Sequence, residues 1–139
     1  MSWREDVKKA LERDEGRIPY AYQDSEGYWT IGVGHLIDKR LGGRLPEHII
    51  DALLEYDIEL AIAEARAFLW FEELSDARKA VIVNMMFNLG LRKFKGFKRM
   101  IAALERGDYE AAADEMLDSK WARQVGPRAV RLAQQMRAG

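Results

Sequence analysis

The chain has no cysteine, only 3 prolines and only 2 histidines in 139 residues. Without cysteine there are no disulfides, thiolate metal sites or cysteine nucleophiles. His35 and His48 alone are too few for a structural zinc centre, so neither metal nor organic cofactor is expected. No Gly-rich phosphate loop of the required form is present. A run of roughly 20 apolar residues is also missing, which argues against stable membrane insertion. Charge of one sign is not in excess: 22 basic and 23 acidic side chains leave a net charge of −1. Nothing here pulls the chain toward nucleic acid, and no such partner is expected. The N-terminal Met-Ser-Trp-Arg-Glu-Asp lacks the apolar core of a secretory signal. The expectation is therefore a cytoplasmic chain that leaves only through an exit opened by another protein.

What is present reads as one globular domain. The hydrophobic fraction is 48% and the charged fraction 32%, which separates the chain from disordered sequences. Its length suits a single domain able to bury its own core. Residues 1–60 carry 8 basic and 13 acidic side chains, whereas residues 61–139 carry 14 and 10. Two readings of that asymmetry stand: a face that steers a polyanion, or unevenly solvated helices.

Ser2 with Glu5 forms a capping-box pattern, so a helix starts near Trp3. Trp3, Val7, Ala10 and Leu11 make its apolar stripe, and Glu15 falls close to that stripe before Gly16 stops the helix. Ile18–Tyr22 and Tyr28–Ile31 are strand-like and flank the turn cluster Asp24-Ser25-Glu26-Gly27, which predicts a β-hairpin. Gly32-Val33-Gly34-His35 suggests a close backbone approach or a bend rather than a strand. Beyond Leu45 the pattern is helical. One helix is expected from Pro46 to about Phe68, with Ile49, Leu53, Tyr56, Leu60 and Ala63 on its apolar face. A second, capped by Ser75-Asp76, is apolar nearly all round from Ala80 to Leu89, as a buried central helix would be. Others are expected over 94–106, 108–117 and 127–138. The fold class is α+β, mostly helical: a small hairpin lobe over about 16–45, a helical lobe formed by 1–15 and 46–139, and a cleft between them.

Chemistry concentrates between Glu15 and His35. Glu15 ends a helix on its apolar side, Asp24 lies in a polar turn, and Thr30 lies on the second strand. Two carboxyls in contrasting surroundings are what glycoside hydrolysis needs for an acid and a base, although an acid at a helix end followed by an aspartate in a turn is also a common structural pattern. The residues themselves go further. Asp14-Glu15-Gly16 followed by Tyr22-Gln23-Asp24-Ser25-Glu26-Gly27-Tyr28-Trp29-Thr30-Ile31-Gly32-Val33-Gly34-His35 closely resembles the signature of the phage-type lysozymes, glycoside hydrolase family 24. Asn84–Gly90 with Gly96-Phe97 resembles the family's central helix. Ser119-Lys120-Trp121 with Pro127-Arg128-Ala129 resembles its C-terminal cleft edge.

The resemblance implies a lysozyme-like fold and an endolysin that hydrolyses the β-1,4 bond between N-acetylmuramic acid and N-acetylglucosamine in bacterial peptidoglycan. Glu15 falls on the family's catalytic acid, Asp24 on its second carboxylate and Thr30 on the residue that holds the attacking water, with inversion at the anomeric carbon. Leu36, Phe87, Asn88 and Arg128 fall on substrate-cleft positions, Arg128 on an arginine that contacts the catalytic glutamate; for Leu36 and Phe87 plain packing is the other reading. His35 falls on a histidine that pairs structurally with an aspartate, here Asp57, and such a pair strengthens as histidine gains its proton. His48 has no counterpart and is expected on the surface. Trp121, Met85 and Met86 are expected to pack in the helical lobe. For Asn84 and Asn88, at i and i+4, two readings stand: buried amides satisfying backbone groups, or cleft groups facing acetamido carbonyls.

The family further implies a monomer released to the cell wall through a holin-type pore. Two departures from its T-even type are evident. The stretch Leu36–Leu45 is short, so one wall of the groove is expected to be truncated. The chain is also slightly acidic where that type is strongly basic, which leaves Arg92, Lys93, Lys95, Lys98 and Arg99 either as a wall-binding patch or as a solvated face. Two alternative functions are a lytic transglycosylase and an inactive wall-binding module of the same fold.

Overall fold

Ser2 starts the first helix by accepting a hydrogen bond on its side-chain oxygen from the Glu5 amide at 3.3 Å. The cap fixes α1 as Trp3–Glu15. These positions come from a computed structural model that describes residues 2–37 and 44–139. By contact the chain divides into two units, Met1–Ala52 and Leu53–Gly139.

In the first unit, α1 leads to an antiparallel three-stranded sheet of β1 (Ile18–Gln23), β2 (Trp29–Gly32) and β3 (His35–Leu36), in that order. The hairpin forms where expected. Tyr22 stands opposite Thr30 and Gln23 opposite Trp29, with an irregularity between Ile18 and Tyr22. The third strand corrects the sequence reading, since His35 and Leu36 pair with Ile31 and Thr30. A two-residue strand is too short to show alternation. Its consequence is that β2 is central, and Thr30 is the only buried polar residue among the described residues. The apolar stripe of α1 is present but uncovered: Trp3, Val7 and Leu11 are exposed.

α2 spans Glu47–Ala65 and ends earlier than expected. Its periodicity is real, but Ile49, Leu53, Tyr56, Leu60 and Ala63 are exposed, while Ala61 and Ala65 are the residues it buries. Small side chains there let the helix approach the core closely. The second unit continues with a short 3₁₀ turn, Phe71–Glu73, and then α3 (Asp76–Leu89), α4 (Leu91–Phe94), α5 (Lys98–Glu105), α6 (Tyr109–Leu117), α7 (Lys120–Val125) and α8 (Pro127–Ala138). The helix expected over 94–106 is split, because the chain turns at Lys95–Phe97, where the Phe97 amide donates to the Phe94 carbonyl at 3.0 Å. α7 was not expected; six residues between two stop signals carry no readable period.

The core of this unit is built on α3. Val81, Ile82, Met85 and Met86 are buried against Phe94, Met100, Leu104, Met116, Trp121 and Met136. α6 packs on α5 and α8, and α8 on α3. The packing of Met85, Met86 and Trp121 is as read from the sequence. The expectation that α3 is buried all round is corrected: Ala80, Asn84, Phe87 and Asn88 form an exposed face. Among the described residues no helix is long and apolar enough to cross a membrane.

Caps set the helix starts. The Ser75 hydroxyl oxygen accepts from the Arg78 amide at 3.2 Å, and Asp108 and Ser119 do the same for α6 and α7 at 3.0 Å each. Arg78 then ties α3 to the end of α8, donating to the Met136 carbonyl at 2.7 Å and the Arg137 carbonyl at 3.1 Å. Replacing Ser75 with Ala should lower stability by about 1 kcal/mol, the usual worth of such a cap. A urea titration reads this as a lower midpoint at unchanged slope; an unchanged midpoint would show the cap is dispensable.

Candidate functional site

Asp24 is held by its own turn. Its Oδ1 accepts from the backbone amides of Glu26 and Tyr28, both at 2.9 Å. The Asp24 amide donates to the Tyr28 carbonyl at 2.8 Å, and the Gly27 amide donates back to the Asp24 carbonyl at 2.9 Å. A carboxylate gripped by two peptide N–H groups has a defined orientation.

Thr30 joins the same network. Its hydroxyl donates to the Tyr28 carbonyl at 3.2 Å. That uses the hydroxyl's one proton, so toward any other group Thr30 Oγ1 is an acceptor. The Tyr28 peptide groups therefore knit Asp24 and Thr30 together, a linkage the sequence did not reveal because it runs through backbone atoms.

Glu15 is the last residue of α1 and is exposed. Its side chain lies against the backbone of Gly34, so closely that a Cβ at residue 34 would sit 3.0 Å from Glu15 Cδ and Oε2. Gly34 has φ +68°, a conformation that disfavours side chains. Thus Glu15, Asp24 and Thr30 all belong to the first unit, and Gly34 is the neighbour that sequence reading described only as a close approach. His35 stands on β3, where its Nε2 is buried and has no hydrogen-bond partner among the described residues. Leu36 is half-buried on the same strand. The shortened groove wall falls largely on residues 38–43, outside the described residues.

The second unit carries the other candidates. On the exposed face of α3, Asn84 Oδ1 accepts from Arg128 Nε at 3.0 Å and Nη2 at 2.7 Å. One turn on, Asn88 Oδ1 accepts from Trp121 Nε1 at 2.8 Å. These amides bond side chains, not backbone, and both are exposed, so the buried-amide reading is corrected. Asn84, Phe87 and Arg128 line an apolar concavity of about 380 Å³ together with Leu54, Ile58 and Val83. A larger one, about 620 Å³, is bordered by Lys93, Lys98, Arg99 and Lys120 around Phe97 and Trp121. Three of the five patch cations thus edge a hollow rather than a flat face. Asp57 is exposed on α2, and His48 is exposed as expected. Among the described residues no cluster of three or more metal-binding side chains occurs.

Comparison with known proteins adds an independent line. The family pattern described as phage lysozyme matches residues 12–137. The chain is 29% identical to the probable T4-type lysozyme 1 of Dictyostelium discoideum, covering 96% of this chain and 94% of that protein. It is 31% identical to the endolysin of Salmonella phage P22, covering 77% and 75%. It is also 28% identical to the pre-baseplate central spike protein Gp5 of Enterobacteria phage T4, where 91% of this chain matches 26% of that protein.

Proposed function

The chain belongs to the phage lysozyme family, and from that premise we propose that it is a muramidase of the endolysin type, hydrolysing the β-1,4 bond between N-acetylmuramic acid and N-acetylglucosamine in bacterial peptidoglycan. The observation that carries this reading is the Tyr28-centred network holding Asp24 and Thr30 in one unit with Glu15. In the proposed reaction Glu15 protonates the departing glycosidic oxygen. Asp24 steadies the positive charge that develops on the sugar and orients a water molecule. Thr30 accepts a hydrogen bond from that water, the role left to a hydroxyl whose proton is already given to a carbonyl. Water then gives up a proton to Asp24 as it attacks the face opposite the leaving group, and the product anomer is inverted.

Leu36, Phe87, Asn88 and Arg128 are proposed to contact the glycan. The His35–Asp57 pair that the family resemblance implies is proposed as structural rather than catalytic. The protein is proposed to act as a monomer that waits in the host cytoplasm and reaches the wall through a holin-type pore.

The test is the chemistry of the products released from purified sacculi. Hydrolysis gives muropeptides with reducing ends, one water heavier by mass spectrometry than the 1,6-anhydro products of a transglycosylase. Proton NMR of the first anomer should show the α form. Anhydro products, or no products at all, would overturn the assignment, and an initial β anomer would overturn inversion.

A further inference from the structure

We infer that the hollow of about 620 Å³ at the start of α5 is a phosphate site, which takes a phosphomonoester. It lies wholly in the second unit and shares no residue with Glu15, Asp24 and Thr30. Lys93, Lys98, Arg99 and Lys120 stand on its wall against two acids, Glu115 and Asp118, so cations are in excess. Elsewhere Arg13, Arg17, Arg66, Lys79, Arg106 and Arg137 each hold a carboxylate. Among the described residues none of the four cations at the hollow does, although two acids share its wall. The hollow therefore keeps its positive charge for something else.

The helix that supplies two of these cations is built against its own dipole. α5 opens with Lys98 and Arg99 and has no acid in its first turn, and its N-cap is Phe97, which cannot cap an amide. A helix N-terminus carries partial positive charge, so two cations there are unfavourable alone. α1, α3 and α6 do the opposite: Ser2, Ser75 or Asp108 caps each, and an acid follows in the first turn. A bound anion reverses the balance at α5, accepting from its first amides and from both cations. Phosphate suits the donors, which arrive from the end of α4, the start of α5 and the start of α7. A phosphomonoester carries about −1.5 to −2 charge at pH 7 and has three acceptor oxygens. A carboxylate offers one charge and two oxygens. Arg92 and Lys95 belong to the same basic stretch but are not on the hollow's wall.

The test is a titration of the full chain with glycerol 3-phosphate, and with glycerol and glutarate as controls, followed by ¹⁵N NMR at constant ionic strength. The phosphate ester should shift the backbone amide signals of Lys98, Arg99 and Met100; glycerol should not, and glutarate should bind at least tenfold more weakly. Replacing Lys98 and Arg99 together by Gln should weaken binding about tenfold. Replacing Arg92 and Lys95 together by Gln removes the same charge and should change binding less than twofold. The first pair should keep its urea midpoint, since it takes cations away from the positive end of a helix. Lys120→Gln, on a different helix, should weaken binding about threefold and serves if that pair fails to fold. Sedimentation with phosphatidic acid vesicles, reversed by free glycerol 3-phosphate, would place the phosphate on a lipid headgroup. Binding of the soluble ester without sedimentation would place it on a small phosphorylated molecule. No binding of either form, glutarate bound as tightly as the ester, or equal losses from the two charge-matched pairs would overturn the inference and leave a solvated basic face. None of these outcomes bears on the release of reducing muropeptides, which tests the muramidase reading by itself.

Discussion

Glu15→Gln should clear chloroform-treated Gram-negative cells about 10²–10⁴-fold more slowly than the wild-type chain, the usual contribution of a general acid. Glutamine has the same shape and fits against Gly34 as glutamate does, but it has no proton to give to the leaving oxygen. Glu15 is exposed at the end of α1, so the substitution removes no buried contact and should leave the urea midpoint within about 0.5 kcal/mol of wild type. That separation makes the experiment decisive. A variant that folds normally and clears at more than about a tenth of the wild-type rate would show that Glu15 is not the acid. A variant that fails to fold would instead reveal a structural duty for Glu15 that nothing in its surroundings suggests.

Much of this arrangement was legible because it is local. Ser2 and Ser75 announce helix starts by side-chain chemistry that acts within three residues, and both cap as read. The Asp24 turn is equally local, since its carboxylate bonds amides two and four residues on. Legibility fails where a residue's fate depends on distant partners. The apolar period of α2 is plain in the sequence, yet Ala61 and Ala65 are buried while Leu53 and Leu60 are not. Periodicity identifies a face without saying what covers it. On α3, Phe87 contributes to an apolar run that suggests complete burial, but it stands beside Asn84 on the exposed side. The sequence also fell short at β3, where a strand exists only because β2 offers it an edge. The functional motif is readable in the sequence as a resemblance; its mechanics are not. The Tyr28 peptide linkage and the seat of Glu15 are matters of backbone geometry.

That seat yields the second large effect. Gly34→Ala should reduce clearing about 10–10²-fold, while Gly32→Ala should stay within about threefold of wild type. Both glycines have nearly the same left-handed backbone, φ +68° at Gly34 and φ +70° at Gly32. Alanine at either site should therefore cost about 1 kcal/mol of stability. Their surroundings differ. A Cβ at residue 34 meets the Glu15 carboxylate at 3.0 Å, whereas one at residue 32 meets nothing within 4 Å among the described residues. The carboxyl is the far end of a flexible side chain, so it yields by swinging aside rather than by unfolding the sheet. Misplacing a reacting group by a fraction of an ångström to an ångström forfeits much of the advantage of orientation. The loss at Gly34 should appear in kcat, with the urea midpoints of the two variants close together. Equal activity losses at both positions would mean that backbone strain, not contact with Glu15, governs the result. An active Gly34→Ala would show that the carboxylate does not work from the place where it lies.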